Sequence, residues 1–74
     1  MNDKNAIIRQ IIDGRKGFYN YKLPELSERS GISYSVLRQR MKNPLNITFG
    51  EFLKLDKVLH FDDTDKQRLL EIFK

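Results

Sequence analysis

Residues 23–42 of the chain read LPELSERSGISYSVLRQRMK, and this stretch contains the clearest helix boundaries of the sequence. A proline is tolerated only in the first turn of a helix, so Pro24 predicts a helix that begins between Asn20 and Pro24. Gly31 suits the residue that closes this helix, and the hydroxyl of Ser33 can cap the next one. The stretch therefore predicts two short helices joined by a very short turn.

The second of these helices is expected to span residues 33–42, because Asn43-Pro44 stops it. Its apolar residues, Val36, Leu37 and Met41, are predicted to face the core. The remaining face carries side chains that donate hydrogen bonds or charge: Tyr34, Ser35, Arg38, Gln39 and Lys42. The sequence has no acidic residue from Gly31 to Gly50, so nothing in this stretch repels phosphate.

A helix is predicted before this stretch, from Asn2 to Asp13, with Asn2 or Asp3 as its cap. Its apolar face consists of four isoleucines, Ile7, Ile8, Ile11 and Ile12. We expect Gly14 to close the helix, residues 14–17 to form a loop, and residues 18–21 to form an aromatic connector.

Two further helices are predicted after it. Thr48 to Glu51 reads T-x-x-E, which is a capping box, and its helix runs to about Leu59. That helix is expected to bury Phe52, Leu59 and either Leu53 or Leu55. Asp62 or Asp63 is expected to cap a fifth helix, whose apolar stripe is Leu69, Leu70 and Phe73. Five short helices predict an all-α fold, a single compact domain over residues 1–74.

The charge of the chain is unevenly distributed. Its 74 residues include 14 basic and 10 acidic side chains, a net charge of +4. Residues 1–43 carry nine basic and four acidic residues (+5), and residues 44–74 carry five and six (−1). The first half is therefore suited to face a polyanion, although a lysine-rich solvated surface would give the same balance.

Several classes of protein are not expected from this composition. The chain has no cysteine, which rules out disulfides and thiolate metal sites. We expect no membrane span, no metal, no cofactor and no enzymatic activity, since the sequence has one histidine and no glycine-rich phosphate loop.

Residues 26–37, L-S-E-R-S-G-I-S-Y-S-V-L, resemble the phage-repressor (Cro-like, or XRE) helix-turn-helix family. The matching positions are Leu26, Gly31, Ile32, Ser33 and Leu37, and the resemblance extends over roughly residues 6–61. It implies a lambda-repressor-like fold in which helix 22–30 lies across the DNA backbone. Helix 33–42 would then be the reader helix in the major groove.

The resemblance also implies roles for individual residues. The expected base-reading residues are Tyr34, Ser35, Arg38 and Gln39. The expected contacts to the DNA backbone are Lys22, Ser33, Arg40, Lys42, Asn46 and Thr48. The sequence departs from the family's pattern at three positions: Leu23 replaces a glutamine, Ser27 a buried alanine and Arg40 an apolar core residue. Whether Arg40 or Met41 faces the core stays open.

The leading functional hypothesis is a small DNA-binding transcriptional regulator, a phage or mobile-element repressor that binds double-stranded DNA. It would be cytoplasmic in a bacterial host cell, and nucleoid-associated when bound to DNA. The alternative is a protein-binding helix-turn-helix module that acts as an antirepressor, a repression modulator or an anti-CRISPR factor. Homodimerisation is a further expectation, through the C-terminal helix residues Leu69, Leu70, Ile72 and Phe73, with Ile72 off the main stripe.

Overall fold

The computed structural model describes residues 3–73, and this part of the chain contains five α-helices. They are α1 (Lys4–Tyr19), α2 (Leu23–Ser30), α3 (Tyr34–Lys42), α4 (Phe49–Leu59) and α5 (Asp63–Phe73). A single 3-10 turn, Pro44–Asn46, connects α3 to α4. Residues 3–73 contain no strand. The predicted all-α class is confirmed.

The ends of α2 and α3 follow the residues that predict them. Pro24 lies in the first turn of α2, and Gly31 closes that helix in the left-handed region at φ 79°. An added Cβ would strain this conformation, which explains why a glycine stands here. Ser33 caps α3, because its Oγ accepts a hydrogen bond from the backbone N–H of Val36 at 3.4 Å. Asn43 follows the last residue of α3, as expected from the proline after it.

The capping box of α4 is also present. The N–H of Glu51 donates to Thr48 Oγ1 at 3.1 Å, and the N–H of Thr48 donates to Glu51 Oε1 at 2.9 Å. Of the two leucines between which the sequence does not decide, Leu55 is buried and Leu53 is half exposed.

The predicted end of α1 is wrong, because the helix continues through Gly14 and Gly17 to Tyr19. It closes at Asn20, whose φ of 59° is left-handed and whose N–H donates to Gly17 O at 3.1 Å. Each interior glycine costs about 1 kcal/mol relative to alanine. Contacts of the last turn offset this cost, since Arg15 Nε donates to Leu59 O at 3.0 Å and Tyr19 packs on the core.

The start of α1 agrees with one of the two predicted caps. Asp3 Oδ1 accepts from the N–H of Ala6 at 3.2 Å. The other candidate, Asn2, lies outside the described residues.

The core is a single cluster of buried apolar side chains to which every α-helix contributes. α1 supplies Ile8, Ile11 and Ile12, and α4 supplies Leu55 and Leu59. The other members of the cluster are Leu26, Ile32, Leu37, Ile47, Phe61 and Leu69.

The orientation of α5 differs from the expected one. Leu69 is buried and Ile72 packs against the core, whereas Leu70 and Phe73 face solvent. Both pairs have helical spacing, so the sequence alone does not decide which stripe faces inward. At the start of α5, Asp62 Oδ1 accepts from the N–H of Asp65 at 2.7 Å, which identifies Asp62 as the capping residue.

Candidate nucleic-acid interface

The turn between α2 and α3 is held by two serine hydroxyls. Ser27 Oγ donates to Ile32 O at 2.6 Å, and Ser30 Oγ accepts from the N–H of Ile32 at 3.2 Å. Ile32 itself is buried in the core. The direction in which α3 leaves the turn is therefore fixed by hydrogen bonds on both backbone groups of one anchored residue.

The inner face of α3 packs as the sequence predicts. Leu37 is fully buried, and Val36 and Met41 lie half-buried against the core. Met41, and not Arg40, is therefore the core-facing residue at the end of this helix.

The C-terminal end of α3 is bound by an arginine of α1. Arg9 donates from Nε to Met41 O at 2.8 Å and from Nη2 to Lys42 O at 2.9 Å. A guanidinium at this position satisfies two terminal carbonyls and complements the negative end of the helix dipole. The sequence does not predict this contact, because the partners lie 32 and 33 residues apart and no local motif links them.

The outer face of α3 carries all five side chains predicted to lie there. Tyr34 is 42% exposed, and Ser35, Arg38, Gln39 and Lys42 are exposed as well. The Arg38 guanidinium carbon lies 5.8 Å from the centroid of the Tyr34 ring, one turn earlier. Such a cation–π contact restrains the arginine while leaving its N–H donors free.

Three polar side chains of this face are free of hydrogen bonds to the rest of the described chain. Within residues 3–73, the side chains of Arg38, Gln39 and Lys42 make no hydrogen bond and no ion pair. The face can therefore offer two cations and one amide to a ligand without first breaking an internal bond.

Arg40 is used differently from its neighbours. Its Nε donates to Glu51 Oε1 at 2.8 Å, and both side chains are largely shielded from solvent. This hydrogen bond is the main cause that lowers the pKa of the Glu51 carboxyl and raises the pKa of the Arg40 guanidinium. Arg40 is expected to contact the DNA backbone. In the structure its side chain instead connects α3 to the cap of α4.

Four other residues that are expected to contact the DNA backbone lie at the ends of helices. Lys22 precedes α2, Ser33 precedes α3, and Thr48 precedes α4. Asn46 ends the 3-10 turn, and all four residues are exposed. The hydroxyls of Ser33 and Thr48 accept hydrogen bonds as caps, so only their O–H groups are left to donate. No hydrogen bond in the described range joins the Lys22 side chain to α3.

Two other kinds of site are not found in the described part of the chain. No group of three or more acidic, histidine or cysteine side chains lies close enough to hold a metal ion. Between residues 3 and 73, no helix is both long and apolar enough to cross a membrane.

Comparisons of the chain with protein-family models, with curated proteins and with solved structures found no match. The resemblance to the phage-repressor family therefore rests on the sequence pattern within residues 6–61 and on no matched protein.

Proposed function

We propose that this chain is a small DNA-binding transcriptional regulator of the repressor type. In this proposal α2 and α3 form a helix-turn-helix unit, and α3 enters the major groove of double-stranded DNA. The observation that carries the proposal is the outer face of α3, where the Arg38 and Gln39 side chains are exposed and, within residues 3–73, make no hydrogen bond or ion pair.

Arg38 and Gln39 suit the reading of base edges. An arginine pairs through two hydrogen bonds with guanine O6 and N7, and a glutamine pairs in the same way with adenine N6 and N7. The two residues are adjacent on α3, so they would reach neighbouring positions of one half-site. Tyr34 and Ser35 lie one turn earlier and would contact bases at the start of the helix.

Phosphate contacts would surround this reading face. Lys42 stands at the end of α3 and Lys22 at the start of α2, and both are exposed cations. Ser33 and Asn46 add uncharged donors. Arg40 would act indirectly, since its bond to Glu51 sets the position of α3 relative to α4.

The fold supports this role by holding α3 rigidly. Ser27 and Ser30 bind the turn before it, Leu37 anchors its centre, and Arg9 binds its last carbonyls. A rigid support matters because base readout requires donors within hydrogen-bond distance of fixed base atoms.

The test is fluorescence anisotropy of labelled duplexes as a function of salt. We expect affinity to fall steeply with salt, with a log–log slope of about −2 to −4 for a few neutralised phosphates. Lys42→Ala should reduce the magnitude of that slope by about 1 for every sequence. The matched control is Arg68→Ala, an exposed arginine of α5 that should leave binding unchanged.

The alternative hypothesis makes a different prediction for the same assay. If α3 bound an acidic protein surface and not DNA, the wild-type chain would bind no duplex at any salt concentration. That result would reject the DNA-binding proposal and leave the protein-binding module as the better account.

A further inference from the structure

Three aromatic rings lie together at the end of α1. Phe18 and Tyr19 are the last two residues of this helix, and Asn20 then turns the chain in the left-handed region at φ 59°. The turn places Tyr21 against Tyr19, with the ring centroids 5.3 Å apart and the ring planes at 14°. The rings of Phe18 and Tyr19 are perpendicular, with centroids 5.0 Å apart. The three rings, called the aromatic cluster below, therefore hold one another in place.

Phe18 is the exposed member of the aromatic cluster. It is 71% exposed, whereas Tyr19 and Tyr21 lie half-buried against the core. Phe18 is not among the side chains of the core or those packed against it. The fold therefore gains little from this ring, which is open to a ligand with a flat face.

Arg15 lies over the exposed ring. Its guanidinium carbon is 4.8 Å from the Phe18 centroid and 5.4 Å from the Tyr19 centroid. Its Nε donates to Leu59 O at 3.0 Å and its Nη2 to the Tyr19 hydroxyl at 3.5 Å, and both acceptors are uncharged. Within residues 3–73 the Arg15 side chain has no ion pair. A cation and a ring are thus held side by side in advance, which reduces the entropy cost of binding a ligand.

The chain around the aromatic cluster is positively charged. Residues 14–24 contain no acidic residue and three basic ones: Arg15, Lys16 and Lys22. Asp13 precedes this range, and it is paired with Lys16 at 3.4 Å. Glu25 follows the range, and it is paired at 3.2 Å with Arg29, whose guanidinium lies over Tyr21. Arg15 and Lys22 therefore keep charges that no ion pair neutralises in the described part of the chain.

We propose that Phe18 and Arg15 form a binding site for an unpaired nucleotide of a single-stranded nucleic acid. The base stacks on the Phe18 ring and Arg15 binds the adjacent phosphate, while Lys22 adds positive charge nearby. Each nucleotide joins a flat ring to an anion, which matches the ring and the cation of this site. An acidic peptide offers the anions without the flat ring, and the bases of a duplex are stacked between their neighbours.

This site is separate from the proposed reader helix. Neither Phe18 nor Arg15 belongs to α3, and neither is among the residues expected to contact double-stranded DNA. The inference therefore does not rest on the proposed function. Lys22 is shared with that proposal, so it stays unchanged in the experiments.

The test compares two single strands that carry the same number of phosphates, by fluorescence anisotropy with the full chain. One strand is an oligothymidylate of about eight nucleotides, and the other is an abasic strand of the same length. We expect the oligothymidylate to bind at least about five-fold more tightly, the difference expected for one stacked base. Equal affinities for the two strands would overturn the proposal, because charge alone would then account for binding.

Phe18→Ala should bind the two strands equally, at the affinity that the wild type shows for the abasic strand. This variant should fold, because Phe18 lies outside the core. The matched control is Phe49→Ala, since Phe49 of α4 is 72% exposed and lies outside the aromatic cluster. It should keep the preference for the oligothymidylate. A preference that survives in Phe18→Ala, or that disappears in both variants, would overturn the proposal.

Phe18→Trp provides a direct signal for stacking, because the chain has no other tryptophan. Its fluorescence should be quenched by the oligothymidylate and left unchanged by the abasic strand. An oligouridylate of the same length distinguishes the source: the strand that quenches at the lower concentration shows whether the site prefers DNA or RNA. Fluorescence that responds to neither strand would contradict stacking at this position. No duplex is present in these measurements, so their failure would leave the proposed binding of double-stranded DNA untouched.

Discussion

Arg40 Nε lies 2.8 Å from Glu51 Oε1, and this ion pair joins α3 to the cap of α4. The same Glu51 oxygen accepts the N–H of Thr48, so one carboxylate closes the capping box and binds the arginine. The pair explains why a basic residue stands at Arg40, where the resembling family has an apolar one. It also links the position of the proposed reader helix to a second helix of the fold.

The ion pair predicts a specific pH dependence of stability. The pKa of Glu51 is lowered from its ordinary value of 4.5, first of all by the hydrogen bond from Arg40. A carboxyl whose pKa is lower in the folded state stabilises the fold above its unfolded pKa. That stabilisation is lost as the pH falls through the folded pKa, so the loss should occur below pH 4.5.

Glu51→Gln isolates this effect, because glutamine can still complete the capping box while it carries no charge. Urea unfolding from neutral pH to below the folded pKa should show wild type losing more stability than Glu51→Gln in that window. The other carboxyls titrate in both proteins, so the difference between the two curves is the relevant quantity. Parallel curves would show that the ion pair contributes nothing to stability.

Loss of the Arg9 contact should destabilise the fold through α3. Arg9→Ala removes two hydrogen bonds to the carbonyls of Met41 and Lys42. We expect the free energy of unfolding to fall by about 1–2 kcal/mol, because these bonds involve a charged donor. Arg9→Lys should recover only part of the lost free energy of unfolding, since an ammonium lacks the two aligned N–H donors of a guanidinium. Urea titration measures both values, and an unchanged midpoint for Arg9→Ala would contradict the contact.

The turn before α3 gives a prediction at Ser27. Alanine is usual at this position in the resembling family, but here Ser27 Oγ donates to Ile32 O at 2.6 Å. Ser27→Ala should therefore cost about 1 kcal/mol of stability. An exposed serine of α3, Ser35, is the matched control, and Ser35→Ala should change stability by less than about 0.5 kcal/mol. Equal thermal midpoints for the two variants would show that the Ser27 bond is not stabilising.

The glycines of α1 and of the α2–α3 turn should respond in opposite directions to the same substitution. Gly17 lies inside α1, and an added Cβ would meet no atom within 4 Å. Gly17→Ala should therefore stabilise the protein by about 0.5–1 kcal/mol. Gly31→Ala should destabilise it, because Gly31 has a left-handed φ of 79°. Thermal unfolding followed by circular dichroism measures both, and a loss of stability in Gly17→Ala would contradict the helical assignment.

The sequence predicts those parts of the fold that local residues determine. Pro24, Gly31 and Ser33 set the limits of α2 and the start of α3, and the T-x-x-E motif sets the start of α4. The length of α1 could not be predicted in this way. Its last turn depends on the hydrogen bond from Arg15 to Leu59, which are 44 residues apart in the chain.

The sequence likewise predicts the exposed face of α3 but not the exposed face of α5. The exposed face of α3 follows from helical spacing within nine residues, so the sequence predicts it. The face that α5 turns to solvent does not follow, because Leu69 with Ile72 and Leu70 with Phe73 satisfy the same spacing. Only packing against the core decides between these pairs, and it leaves Leu70 and Phe73 exposed beside Phe49.

Base reading by α3 is tested by a selection of bound duplexes from a random library, repeated with the Arg38→Ala variant. The selected site is then changed one base pair at a time, and the affinity of both proteins is measured for each change. If α3 reads bases, Arg38→Ala should abolish the preference at one guanine position, worth about 1–3 kcal/mol, and keep the preferences elsewhere. A wild-type chain that enriches no sequence, or an Arg38→Ala variant that weakens every duplex equally, would contradict the account.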